Sequence, residues 1–240
     1  MNTEQRITQV FVELADTLVD EFDALDFLHT LTERSIELLD VDAAGVILSD
    51  QHGQLHVVAS TSNSAQDLEL FELQSAEGPC LDCFHTGLIV ANIDVAAALV
   101  RWPLFSTASI AAGYRSAHAI PLRLRSNVIG AMNLFCFDQS TLSADDLALG
   151  QALADVATIG LLQERAVRES ELIAEQLQTA LNGRVLIEQA KGVLSAQASI
   201  DVDTAFELMR NHSRRNNRPL KDLAASVIDG TLTLRQLDMK

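Results

Sequence analysis

Basic side chains are scarce in this chain. It carries 17 Lys and Arg against 33 Asp and Glu, for a formal net charge of −16 and a pI of about 4.6. Taken whole, it lacks the positive surface that a polyanion demands. Aromatic residues are also few, at 5%, with one Trp and one Tyr. That excludes a flat aromatic platform for stacking single-stranded bases, so any nucleic-acid contact has to use arginine and lysine. Three cysteines in 240 residues do not make a disulfide framework. No apolar run approaches the roughly 18 residues of a membrane span. The start, Met1 to Arg6, has no basic region followed by an apolar one, so no signal peptide is read. These absences lead us to expect a soluble cytoplasmic protein with no membrane partner. Also missing are a Gly-rich phosphate loop with its lysine and a Gly-x-Ser-x-Gly elbow. His29, His52, His56, His85, His118 and His212 show no zinc-type spacing, so no metal is expected. Nothing here argues for an enzyme.

What is present is unevenly placed. Hydrophobic residues make up 48% of the chain, ample for a packed core. Met1 to Arg165 holds 7 basic and 23 acidic residues, while the remainder holds 10 of each. The acidity therefore belongs to the first part, which is not expected to bind nucleic acid itself.

Read in order, Val10, Phe11, Leu14 and Leu18 place an apolar stripe on a first helix. Asp23–Leu39 reads as a second, with Leu25, Leu28, Leu31, Ile36 and Leu39 on its apolar side. Ala43–Leu48 and Leu55–Ser60 are strands of a hairpin turned at Asp50–Gly53. Ser64–Leu73 is helical and is broken at Glu77-Gly-Pro-Cys80. Leu88–Ala91 is a strand, and Trp102–Ala112 a helix opened by Pro103. Ala117–Leu124 and Val128–Phe137 form a second hairpin. The order predicts an α+β domain, an antiparallel sheet with flanking helices gathered on one face.

Ser143-Ala-Asp-Asp146 is a capping box with aspartate for the usual glutamate, and the helix it opens meets no proline for dozens of residues. Leu153, Val156, Gly160, Val167, Ile173, Leu177 and Leu181 follow a ragged helical seam. Two readings stand: a solvated linker, or a coil that pairs two chains. We favour the coil, because so polar a helix gains little from staying folded alone.

Beyond it lie three short amphipathic helices. Val185, Ile187, Ala190 and Leu194 share one side of the first. Ala205, Leu208, Met209 and His212 share a side of the second, with Asp201 as N-cap. Leu220, Leu223, Ala224, Val227 and Ile228 share a side of the third, with Pro219 in its first turn and Gly230 as C′ residue. None can bury its stripe alone, so they form a small bundle. Gly192 inside the first helix suggests close helix–helix approach, against Ala205. From Thr204 to Lys221 five basic residues face one acidic residue, a local net charge of +4. This patch reads either as a solvated bundle face or as a surface for phosphates, which guanidinium forks suit.

Ile187-Glu-Gln-Ala-Lys-Gly192, with Arg184 before it and the Ala205, Leu208, Arg210, Leu220, Ala224 spacing after it, resembles the ANTAR domain of bacterial RNA-binding transcription antiterminators. Ser195 departs from that pattern, which commonly has methionine there, and is expected to loosen packing at the end of the helix. The first part is similar to a GAF domain, a small-ligand sensor fold. The residues that carry this are Glu77–Gly87, Trp102-Pro-Leu-Phe105, Gly113-Tyr-Arg-Ser116, Ile120-Pro-Leu-Arg123 and Ile129–Leu134.

Together these resemblances imply a GAF-like sensor domain over 1–162, a connecting coiled coil over 143–176 and an all-α three-helix ANTAR bundle over 177–235. They imply a signal-responsive antiterminator that binds tandem stem-loops in nascent RNA, as a homodimer. Arg184, Lys191, Arg210, Arg214, Arg215, Arg218 and Lys221 are the expected RNA contacts. The sensor's ligand, a small molecule, is not identified. Cys80 and Cys83 read either as reduced cysteines lining the sensor pocket or as a redox pair. Trp102, Phe105 and Tyr114 read as pocket lining or as core. The rival function is a ligand or redox sensor whose helical tail docks a protein partner.

Overall fold

The computed structural model describes residues 3–17 and 23–232. Leu18 of the first stripe, and 233–235 of the expected bundle, lie outside them. The chain divides into two units, 1–165 and 166–240.

The first unit opens with helices α1 (Thr3–Asp16) and α2 (Ala24–Leu39). Asp23 caps α2, its carboxylate accepting from the Leu25 and Asp26 amides at 2.8 and 3.3 Å. Then come β1 (Ala43–Ser49), β2 (Leu55–Ser60), α3 (Asn63–Ser75), α4 (Pro79–Thr86) and β3 (Val90–Asp94). A 3₁₀ turn (Ala97–Val100), α5 (Pro103–Ala111), β4 (Ser116–Leu124) and β5 (Asn127–Cys136) follow. The turn between β1 and β2 is tied by Asp50, which accepts from the His52 and Gln54 amides, both at 2.8 Å. The five strands form one antiparallel sheet in the order β2-β1-β5-β4-β3.

Strand side chains alternate between faces, and here both faces are covered. Ala44, Val46 and Leu48 of β1, Ile120 and Leu122 of β4, and Met132 and Leu134 of β5 pack with α1 and α2. Leu153, Ala154, Ala157 and Leu161, from the start of α6 (Ala144–Ala198), join that core. The opposite residues meet the other layer: Ala43, Ala117 and Phe135 pack with Ala65 and Leu68 of α3 and Phe105 of α5. Ile47, Ala119 and Ala131 pack with Cys80 and Cys83 of α4. The expectation of helices on one face is thus corrected. Ala43–Leu48 is buried throughout because it is sandwiched, and an unbroken apolar run is what a two-sided strand requires.

Other details also shift. β3 begins two residues after the expected strand, and α4 starts with Pro79 at its first position, where the sequence suggests only a break. Leu25 is exposed while Phe27 is buried, so the α2 stripe is rotated. At the β3 edge Asn92 adopts a left-handed φ of 57°. Its side chain clasps Leu142, accepting from the amide at 2.8 Å and donating to the carbonyl at 3.1 Å. Its own amide donates to His118 Nδ1 at 3.0 Å. Directly after Leu142 the expected capping box forms, with Asp146 accepting from the Ser143 amide at 2.9 Å and the Asp146 amide donating to Ser143 Oγ at 3.2 Å.

α6 is one helix of 55 residues that supplies core residues to both units. Leu153 is fully buried and Gly160 is buried, both within the first unit, so they are not seam residues. From Val167 onward the stripe faces solvent: Val167, Ile173, Leu177, Leu181 and Val185 are each half-exposed or more.

Among the described residues no helix is long and apolar enough to cross a membrane.

Candidate nucleic-acid interface

The second unit is a small bundle of the end of α6, α7 (Val202–Arg215) and α8 (Leu220–Ile228). Its core is Ala190 and Leu194, Ala205 and Met209, and Leu223, Ala224 and Val227. The expected faces are right to within one position: Val185 and Ile228 point outward, and Leu186 packs inward. Asp201 caps α7, accepting from the Thr204 amide at 2.8 Å. Pro219 sits at the N-cap of α8, one residue ahead of the first turn expected for it. Gly230, at φ 79°, follows the C-cap Asp229 as expected. Ser195 does not leave the end of α6 loose, because its Oγ donates to the Ile200 carbonyl at 2.6 Å and pins the turn into α7.

The glycine expectation is overturned. An added Cβ on Gly192 would meet nothing within 4 Å, so no helix approaches it. Gly183 is the α6 glycine that faces a neighbour: a Cβ there would lie 3.8 Å from Lys221 Cβ of α8. This places the start of α8 against α6 at Gly183.

The seven cationic residues fall into two groups. Lys191 pairs with Glu188 at 2.9 Å and lies 5.4 Å from the Phe206 ring centroid. Arg210 pairs with Glu207 at 3.4 Å. Arg218 donates to the Asp222 carbonyl at 3.0 Å and to Ser226 Oγ at 2.5 Å, which locks the start of α8. Arg215 is not free either. In contrast Arg184, Arg214 and Lys221 are exposed and carry no ion pair among the described residues. Arg214 lies in the last turn of α7 and Lys221 in the first turn of α8. The α7–α8 connection is tight, with the Arg218 amide donating to the Ser213 carbonyl at 3.0 Å and Asn217 left-handed at φ 47°. Arg184, Arg214 and Lys221 are therefore the exposed cations of the bundle that have no ion pair among the described residues.

In the first unit Cys80 and Cys83 are fully buried. Burial pushes the Cys83 thiol up to about 12 and Cys80 well above its ordinary value, so the thiolate that disulfide exchange needs is suppressed. Glu77 accepts from the Leu104 and Phe105 amides at 2.5 and 2.9 Å, and Asp82 pairs with Arg101 at 2.5 Å; both carboxylates are in structural use. Trp102, Phe105 and Tyr114 are core residues, with Tyr114 stacked on Phe137 at 5.0 Å. Among the described residues no group of three or more His, Cys, Asp and Glu is placed to hold a metal ion. Two buried carboxylates, Glu69 and Glu72, escape a reading of the sequence. The signal that points to them is Gly45 in the middle of β1, since a strand glycine marks close approach of another group.

Comparison with known proteins follows the same division. Residues 23–162 match the family model of the GAF domain, and residues 175–228 that of the ANTAR domain. No curated protein matches the chain. Among solved structures, the GAF domain of an Acinetobacter phosphoenolpyruvate-protein phosphotransferase is 15% identical with a TM-score of 0.53, covering 70% of this chain and 98% of that one. The GAF domain of the Coxiella burnetii phosphoenolpyruvate-protein phosphotransferase is 16% identical with a TM-score of 0.52, covering 70% and 99%. Free methionine-R-sulfoxide reductase from Neisseria meningitidis, solved with its substrate, is 18% identical with a TM-score of 0.52, covering 67% and 91%. Identities this low speak for the fold of the first unit and for nothing further.

Proposed function

Because this chain belongs to the GAF domain family and carries an ANTAR domain, an RNA-binding antitermination module, we propose that it is a signal-responsive antiterminator that grips tandem stem-loops in a nascent transcript. The observation that carries this is the free cationic trio of Arg184, Arg214 and Lys221 on the ANTAR bundle. Of the other four, Lys191 and Arg210 sit in ion pairs on their own helices, Arg215 is not free, and Arg218 mainly holds α8, so the trio carries most of the phosphate contact. Working boundaries are 1–162 for the sensor, 143–176 for the connecting helix and 177–235 for the RNA-binding domain. The solvent-facing stripe from Val167 to Val185 pairs two copies. Two bundles then meet two stem-loops, and the second contact forms at high effective concentration. The protein acts in the cytoplasm, where transcripts are made, as a regulator with no catalytic step of its own.

The test is a titration of the full chain with a tandem stem-loop RNA across a salt series, beside an R214A/K221A variant. Wild type binds, and salt weakens it. The variant binds more weakly, and its log–log salt slope is shallower by about 0.7 to 0.9 for each phosphate that it no longer neutralises. An unchanged slope removes these residues from the interface. No binding by wild type at any salt overturns the RNA reading and favours a protein partner.

A further inference from the structure

Helix α3 buries two glutamates beside its apolar Ala65 and Leu68. Leu70 and Phe71 are 40% and 37% exposed, while Glu69 and Glu72 are each 1% exposed. A helix hides carboxylates and shows a phenylalanine to water only when the carboxylates have something to meet. Each has one oxygen occupied. Asn133 Nδ2 donates to Glu69 Oε1 at 2.8 Å, and the Cys80 amide donates to Glu72 Oε1 at 2.7 Å. The second oxygen of each has no partner.

Two glycines make the room. A Cβ on Gly45 would overlap the Glu69 carboxylate, and one on Gly78 would overlap that of Glu72. Ser106 and Ser109 of α5, which packs on α3, are also fully buried with unpartnered hydroxyls. These four atoms are all the buried, unpartnered side-chain polar atoms among the described residues. All belong to the α3–α5 layer. On the other face of the sheet Thr32, Ser35 and Thr158 are equally buried, and each donates to a backbone carbonyl.

We propose that Glu69 and Glu72 hold a compact ammonium-type cation, free ammonium or the head group of a short aliphatic amine, as the input ligand of the sensor unit. This deepens the sensor half of the reading above and rests on it. A carboxylate formed as the cation enters calls for N–H donors, and Ser106 and Ser109 add two buried, unpartnered hydroxyls to the same layer. Leu68 of the same helix packs with Trp102, Phe105 and Tyr114 in the core of this face, so the layer around the pair is otherwise apolar.

One proton leaves as one cation enters, so a neutral carboxyl pair becomes a neutral carboxylate–cation–carboxyl group. Burial pushes Glu69 up to about 8 and Glu72 well above its ordinary value, which keeps both protonated until the cation arrives. The titratable groups facing the pair are the two glutamates themselves and Cys80, Cys83 and Asp82 of α4. β1 and β5 contribute Gly45 and Asn133, which do not titrate.

The experiment uses the full chain in ammonium, methylammonium, tetramethylammonium and potassium chlorides at equal ionic strength. Thermal unfolding and calorimetric titration are read between about pH 6 and pH 8. Ammonium or methylammonium raises Tm saturably, and potassium and tetramethylammonium, which lack N–H donors, do not. Affinity rises about tenfold from pH 6 to pH 7, the signature of one displaced proton, and flattens toward pH 8 as Glu69 begins to ionise by itself. Glu69→Gln and Glu72→Gln, which keep the side-chain shape, abolish the effect. Equal Tm in all four salts overturns the proposal, as does a response that survives both variants or one with no pH dependence. Binding to the tandem stem-loop RNA is followed on the same samples. Intact RNA binding without a cation response sinks the ligand inference alone. A cation response without RNA binding sinks the antiterminator reading alone.

Discussion

The two faces of the five-stranded sheet answer the same problem differently. Each buries an ionisable side chain that water would solvate. On the α1–α2 face His118 is fully buried and settled: it accepts from the Asn92 amide at 3.0 Å and lies 3.9 Å from Cys136 Sγ. On the α3–α5 face Glu69 and Glu72 are buried with half their acceptors unmatched. A residue buried in the form its partners need belongs to the scaffold. One buried with capacity unused is set aside for something else.

The faces therefore respond to pH in opposite directions. Glu69 is shifted from an ordinary 4.5 to about 8 by burial, so the native state holds its proton where the unfolded chain has lost it. Its contribution to stability is intact below about pH 4.5 and is lost as pH rises toward 8, by about 5 kcal/mol at most. In E69Q the Glu69 share of that decline disappears and the share of Glu72, which burial also raises, remains; urea unfolding at a series of pH values reads the difference directly. A wild-type curve that overlays the E69Q curve would remove the contrast.

His118 runs the other way. Burial lowers it from 6.5 to about 4, so the unfolded chain takes up a proton that the native state refuses. Its contribution is intact above about pH 6.5 and is lost as pH falls toward 4, by about 3 kcal/mol at most. H118Q flattens this acid limb and leaves the alkaline limb alone. Coupled limbs would mean that the two faces are not independent.

The smallest effects extend the same distinction to the second unit. R218A breaks two internal hydrogen bonds and costs about 1 kcal/mol of stability. R214A and K221A break no ion pair among the described residues and leave Tm unchanged while weakening RNA binding. If all three behave alike in both assays, the division between structural and free cations fails.

Much of this is legible in the sequence, for physical reasons. The hairpins, caps and helix stripes follow from local rules, and Asp23, Asp201, Gly230 and the Ser143–Asp146 box all act locally. Context is what the sequence hides. Ala43–Leu48 has no alternation because both its sides are covered, and an apolar run does not announce how many layers cover it. The stretch Asp67-Leu-Glu-Leu-Phe-Glu-Leu73 looks like a helix with its glutamates in water; only the tertiary fold turns them in. The general cost of a helix glycine suggests a neighbour for Gly192, but its surface is open. Charge and motif find the seven cations. Which are free depends on Glu188, Glu207, Asp222 and Ser226, whose reach to a given cation is set by rotamers.

Asn92 leaves its position almost no room to vary. Three demands meet there: a left-handed backbone, an acceptor for the Leu142 amide and a donor for the Leu142 carbonyl. Glycine satisfies only the first. Aspartate keeps the shape but turns an oxygen toward a carbonyl oxygen. Glutamine has both groups but neither the short reach nor the tolerance for that backbone. Asparagine alone among the standard residues meets all three, so one conversion of amide to acid, by mutation or by slow hydrolysis, would loosen the loop that launches the longest helix of the molecule.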